Sequence, residues 1–195
     1  MTRPDPALRQ ARAEDLAERL AGRPLVLVGM MGAGKTTVGR RLATRLKRQF
    51  LDSDEEIERA AQMSIPEIFE QRGEPEFRAG ETRVIARVLK TDNVVLATGG
   101  GAFVNAETRA LIKDRAISIW LKAEIDILFE RVSRRANRPL LQTANPRATL
   151  QKLIDDRYPI YAGADITVAS RDVPQDAVAG DVVDAVLAYL QQQDA

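Results

Sequence analysis

The stretch PLVLVGMMGAGKTTVGRRLA, residues 24–43, decides how the rest of the chain is read. It begins with an unbroken apolar run, PLVLVG at 24–29, the pattern of a strand buried on both faces. From Lys35 onward, Val38, Leu42 and Leu46 recur at helical spacing. Between strand and helix lies GMMGAGKT, residues 29–36, which fits G-x-x-x-x-G-K-[ST]. Such a loop curls so that successive backbone N–H groups face the phosphates of a nucleotide, and the helix N-terminus adds its positive end. Lys35 then reaches the β- and γ-phosphates and Thr36 offers its hydroxyl to Mg²⁺, with Gly32, Ala33, Gly34 and Thr37 completing the cradle. The plainer alternative is a glycine-rich turn with an ordinary surface lysine, and it suits the flanking strand and helix less well. A nucleoside triphosphate site is expected.

Outward from this loop, short apolar runs alternate with helical stretches. QFLDSD (49–54), NVVLATGGG (93–101), RAISIWLKA (115–123) and DITVAS (165–170) read as four further strands, separated by helices. Ser64 stands three residues before Glu67, a capping-box pattern, with Gly73 as a stop. Five apolar strands with intervening helices predict a parallel, doubly wound sheet with helices on both faces. In such folds ligands sit at the carboxyl ends of the strands. The 29–36 loop, Asp52 to Asp54 and Gly99 to Gly101 all fall at strand ends, which points to one site. Residues 134–148 lack apolar periodicity and read as a mobile loop. Residues 1–22 read as an appended, charged, partly helical arm on a single domain spanning 23–195.

Composition narrows the chemistry. The chain has 195 residues, no cysteine and no histidine, so disulfides, thiolate nucleophiles, imidazole bases and His- or Cys-held metals are all excluded. Its acid–base tools are Asp, Glu, Lys, Arg, hydroxyls and backbone amides, a set suited to phosphoryl transfer, where positioning and electrostatics dominate. A net charge of +1 offers no long-range attraction for nucleic acid. No apolar run approaches the length of a membrane span and the N-terminus lacks a signal-peptide core, so a cytoplasmic location is expected.

FLDSDEE, residues 50–56, carries two acids two positions apart. On a strand, Asp52 and Asp54 would share a face and Ser53 would point away. At ~6.6 Å they would repel by ~2.5 kcal/mol at an effective dielectric near ~20, which a cation, a hydroxylated ligand or solvent would relieve. Motifs of GTPase switches (D-x-x-G, N-K-x-D) are absent, and the third strand ends in ATGGG without an acid. Asp52 is therefore the expected Mg²⁺ partner, through a water, since Mg²⁺ keeps much of its hydration shell. A solvated acidic turn opening the next helix is the alternative.

Taken in order, GMMGAGKTTVGRRLA, FLDSDEEIE, IFEQRGEPEFRAGET, TGGGAF, NRPLL and DRYPIY resemble the shikimate kinase family over about residues 24–190. The resemblance implies the P-loop kinase fold, a five-stranded parallel sheet in the order 2-3-1-4-5 with a mobile lid at about 133–148. It implies ATP as co-substrate, one Mg²⁺ ion, and phosphorylation of the 3-hydroxyl of shikimate in chorismate and aromatic amino-acid synthesis, by a monomer. By motif position, Asp54 matches the acid that holds ring hydroxyls and accepts the reacting proton. Arg78 and Arg157 match carboxylate-gripping arginines, and Gly99, Gly100 and Gly101 match the glycine triplet against the substrate. Phe69 and Phe77 match aromatics beside the ring, or else pack as ordinary core residues. The lesser alternative for Arg78 is pairing with Glu74 or Glu81 on its own helix. Arg138 matches the lid arginine over the γ-phosphate, while Arg131 and Pro174 match residues flanking adenine. Thr98, where many relatives are apolar, Gly163, where an acid is frequent, and the N-terminal extension depart from the family pattern. Within enzymes the rival is a gluconate-kinase-like activity, and outside them a catalytically silent nucleotide-binding regulator.

Overall fold

The computed structural model describes residues 5–134 and 143–194. Five parallel strands form one sheet in the order β2-β3-β1-β4-β5, as expected. They are β1 (Leu25–Val28), β2 (Gln49–Asp52), β3 (Val94–Ala97), β4 (Ile117–Lys122) and β5 (Ile166–Ala169). Eight α-helices are present among the described residues: α1 (Pro6–Arg19), α2 (Lys35–Leu46), α3 (Ser53–Ala61), α4 (Ile65–Val88), α5 (Ala106–Arg115), α6 (Ile125–Ser133), α7 (Pro146–Tyr161) and α8 (Gln175–Gln193).

All four residues of β1 are fully buried, so both faces of the central strand are covered. The outer strand β5 alternates buried and exposed positions, as an edge strand with one face to solvent should. Register aligns the strand ends: Leu27 pairs with Ala97, Asp52 with Ala97, and Val28 with Trp120. The residues that follow β1, β2 and β3 therefore leave the sheet along one edge.

The capping box at Ser64 and Glu67 forms as the spacing predicts. Helix α4 continues past Gly73, where the backbone turns out of helical geometry (φ 79, ψ 171), and resumes with Pro75 in its first turn. Helix α1, capped by Asp5, packs against α2 and α8 and buries Ala13, Leu16 and Leu20. The N-terminal segment thus joins the core along an apolar stripe.

Candidate active site

The phosphate-binding loop joins β1 to α2. Gly34 caps α2 in the left-handed region (φ 90), where a side chain's Cβ would also lie 2.5 Å from Gln175 Oε1. Lys35 Nζ donates to the carbonyls of Gly29 (2.8 Å) and Met30 (2.9 Å), so the amine stays over the loop. Thr36 Oγ1 donates to Asp52 Oδ2 at 2.9 Å. A cleft of about 460 Å³ opens here, lined among others by Lys35, Thr36, Asp52, Asp54, Gly99 and Arg131. The acids and the loop that the motifs single out do meet in one place.

The local geometry of the two aspartates differs from the strand expectation. β2 ends at Asp52, whose Oδ1 accepts the N–H of Asp54 (3.1 Å) and so caps α3, leaving Asp54 in the first helical turn. Acids are favoured at exactly such a helix start by the unpaired N–H groups and the positive end of the helix. Ser53 does not point away to solvent. It is fully buried and accepts the Gly99 N–H at 2.9 Å, tying the glycine triplet to the start of α3. The acidic turn and the ligand-facing pair are one feature, because the first turn of α3 opens onto the cleft.

Each glycine of the triplet sits against a different charged side chain. A Cβ at Gly99 would lie 2.7 Å from Asp54 Oδ1 and 3.1 Å from Glu81 Oε1. At Gly101 it would lie 2.5 Å from Arg78 Nη1, and at Gly100 3.5 Å from Arg157 Nη1. At Gly99 and Gly101 no side chain larger than hydrogen leaves the facing charged group where it is, while at Gly100 the distance is an ordinary contact. Asp54, Arg78 and Arg157 therefore converge on one backbone segment from α3, α4 and α7.

Arg78 donates to Glu81 Oε2 (2.8 Å) and to Glu74 Oε1 (3.2 and 3.3 Å), so its helix partners engage it as the alternative reading had it. Burial opposes its charge, but Glu81 and Glu74 outweigh that and hold the guanidinium above its ordinary value. Its guanidinium carbon also lies 5.1 Å from the centroid of the Phe77 ring, which stacks on Phe69 at 4.6 Å. Phe77 is buried and Phe69 partly exposed. Glu81 is almost wholly buried, and its Oε1 has no hydrogen-bond partner among the described residues. Burial pushes its carboxyl up, Arg78 pulls it down, and the nearby Asp54 adds to the upward push.

Arg157 approaches the Gly100 carbonyl (3.4 Å), and the buried Tyr161 hydroxyl donates to the same oxygen. Burial raises the Tyr161 phenol to about 12, so it stays a neutral donor. Arg131 donates to Gly32 O (3.3 Å), Ser170 Oγ (3.0 Å) and Arg171 O (2.8 Å), bridging the phosphate loop to the segment before α8. Pro174 caps α8 at the surface, and its neighbour Gln175 lines the cleft. Arg138 lies outside the described residues. The departure at Thr98 is accommodated because its buried hydroxyl donates to Leu27 O at 3.0 Å. Gly163 follows the end of α7, where a Cβ would press on the Ile160 backbone carbonyl at 3.3 Å, closer than an ordinary contact.

Sequence reasoning assigns no site role to Ser53, Glu81 or Tyr161. Ser53 lies between the two acids and Tyr161 closes DRYPIY, so position within a motif was the available signal. Their partners lie 46, 3 and 61 residues away, and only Glu81's was within reach of local reasoning.

The profile of the shikimate kinase family matches residues 31–187. The chain belongs to the shikimate kinase family. A shikimate kinase of Rhodopseudomonas palustris is 57% identical over 182 residues, covering 93% of this chain and 90% of that protein. One from Nitrobacter winogradskyi is 62% identical over 164 residues, covering 84% and 77%. The structure of Acinetobacter baumannii shikimate kinase in complex with shikimate superposes with a TM-score of 0.83 at 41% identity, covering 88% of this chain and 97% of that one.

Proposed function

We propose that the chain transfers the γ-phosphoryl group of ATP to the 3-hydroxyl of shikimate, giving shikimate 3-phosphate and ADP. The observation that carries this reading is the convergence of Asp54, Arg78 and Arg157 on Gly99–Gly101, beside the phosphate loop of a shikimate kinase family member. Two guanidiniums suit a carboxylate, and a carboxylate suits ring hydroxyls.

In this reading ATP lies along the phosphate loop, with Lys35 offsetting the charge of the β- and γ-phosphates and Arg131 and Pro174 beside the base. Arg78 and Arg157 hold the substrate carboxylate, which turns the 3-hydroxyl toward the nucleotide. Asp54 accepts the hydroxyl proton as the oxygen bonds to phosphorus and the bond to ADP breaks. Arg138 covers the transferring group and excludes water, on a lid whose expected span of about 133–148 is cut short by α7, which begins at Pro146. Residues 1–22 are an arm in front of the single domain 23–195, with its helix α1 packed onto that domain's α2 and α8.

Thr36 and Asp52 would hold one Mg²⁺. Their touching oxygens fit a hard cation, and Asp52 is oriented by its second oxygen's bond to the Asp54 N–H. Among the described residues no cluster of three acids could cage a metal alone, which suits an ion that takes its other ligands from phosphate and water. When bound, the ion offsets charge on the phosphate oxygens. Among the described residues no helix is long and apolar enough to cross a membrane, and a cytoplasmic monomer is the simplest setting for this reaction.

A coupled ADP-release assay with shikimate, followed by phosphorus NMR of the product, tests the proposal. Shikimate-dependent ADP release with a single new phosphomonoester is expected. Strong turnover of gluconate with none of shikimate would overturn the substrate, and ATP binding without turnover of any hydroxy acid would overturn catalysis.

A further inference from the structure

A second cavity, of about 320 Å³, lies between α3 and α4 and shares no lining residue with the nucleotide cleft. Its apolar surface comes from Ile57, Ile68, Phe77 and Val84, and its charged lining from Arg72, Arg83 and Arg87 against a single carboxylate, Glu76. Arg83 is engaged by Glu76 (3.0 Å) and Arg87 by Glu56 (2.9 Å). Arg72 has no ion pair among the described residues.

Gly80 lines the same cavity from the interior of α4. Glycine there weakens the helix relative to alanine. No neighbour requires it, because a Cβ would meet nothing closer than Arg83 Nη2 at 3.9 Å. The missing side chain instead leaves the helix face open over the apolar surface.

We propose that this cavity is a second small-molecule site, taking a compact ring that carries a carboxylate. The ring lies on Phe77, Val84 and the isoleucines across the gap at Gly80, and the carboxylate meets Arg72. The volume is within the ordinary range of ligand pockets, and an excess of guanidiniums over an apolar floor selects an amphipathic anion above a neutral ring. The site uses the opposite side of α4 from Arg78, and a ligand in it touches the same Phe77 ring that Arg78 overlies.

The test is isothermal titration of the full chain with sodium 1-naphthoate, with ADP and shikimate at saturation. One equivalent binds per chain, and neutral 1-naphthalenemethanol binds at least about tenfold more weakly. Arg72→Glu, at an exposed position, and Gly80→Leu, in a helix that favours leucine, each weaken 1-naphthoate by about tenfold or more while shikimate turnover is unchanged. Absence of binding at millimolar 1-naphthoate, its displacement by shikimate or ADP, or equal affinity in both variants would overturn the site. Binding of 1-naphthoate and its loss in the two variants are read by titration alone and do not require that shikimate be the substrate.

Discussion

Thr36 Oγ1 lies 2.9 Å from Asp52 Oδ2, and this contact joins the start of α2 to the end of the edge strand β2, across the position of β3 between β2 and β1. The two residues are the oxygen donors proposed for Mg²⁺. Asp52→Asn removes the carboxylate's negative charge and keeps the cap on α3, since an asparagine oxygen still accepts from the Asp54 N–H. The Mg²⁺ concentration giving half-maximal turnover should rise about 10–100-fold, with little change in melting temperature. An unchanged Mg²⁺ requirement would assign Asp52 to capping alone.

Lys35→Ala and Arg78→Ala should separate the two halves of the site. The first should lower kcat by about 10²–10³-fold while shikimate binding stays measurable by titration. The second should weaken shikimate binding by about 2–4 kcal/mol, because it leaves a buried carboxylate short of its partner. Equal losses of ATP affinity in both variants would mean that this division of labour is wrong.

Gly101→Ala tests the close approach of the triplet. The added methyl falls against the end of the Arg78 side chain, which can swing aside, so the fold should tolerate it. The cost should appear in the substrate: KM for shikimate rises by about tenfold and KM for ATP holds. Matching increases in both constants would show a general distortion of the loop.

Glu81 gives stability a pH dependence. Its folded pKa is raised above the ordinary 4.5, first by burial, so its stabilising contribution is full below that value and is lost as pH climbs through the folded value. Glu81→Gln removes the titration. Melting curves of both proteins between about pH 4 and pH 7 should show the difference moving in the variant's favour as pH rises. A difference that stays constant over that range would exclude Glu81 as the source.

Local patterns carried much of this protein. The buried run at 24–29, the helical spacing after Lys35 and the G-x-x-x-x-G-K-[ST] loop are short-range features, each set by a few neighbouring residues, and they identify the fold class and the phosphate site without tertiary information. The capping box at Ser64 is of the same kind. The aspartate pair is where local reasoning stopped short, because alternation along a strand and capping of a helix are both open to D-S-D. What selects the cap is that β2 pairs with β3 only as far as Asp52.

The sequence by itself determined the order of elements, the phosphate loop and the residues available for chemistry, because propensity, periodicity and the absence of histidine and cysteine act along the chain. Only the tertiary structure decided which of those residues face one another. The burial of Ser53 under Gly99, the pairing of each triplet glycine with its own charged group, and the hold of Tyr161 on Gly100 join parts of the chain 23 to 61 residues apart. Such contacts follow from how parallel strands align their carboxyl ends across a twisted sheet, and no local rule encodes that alignment.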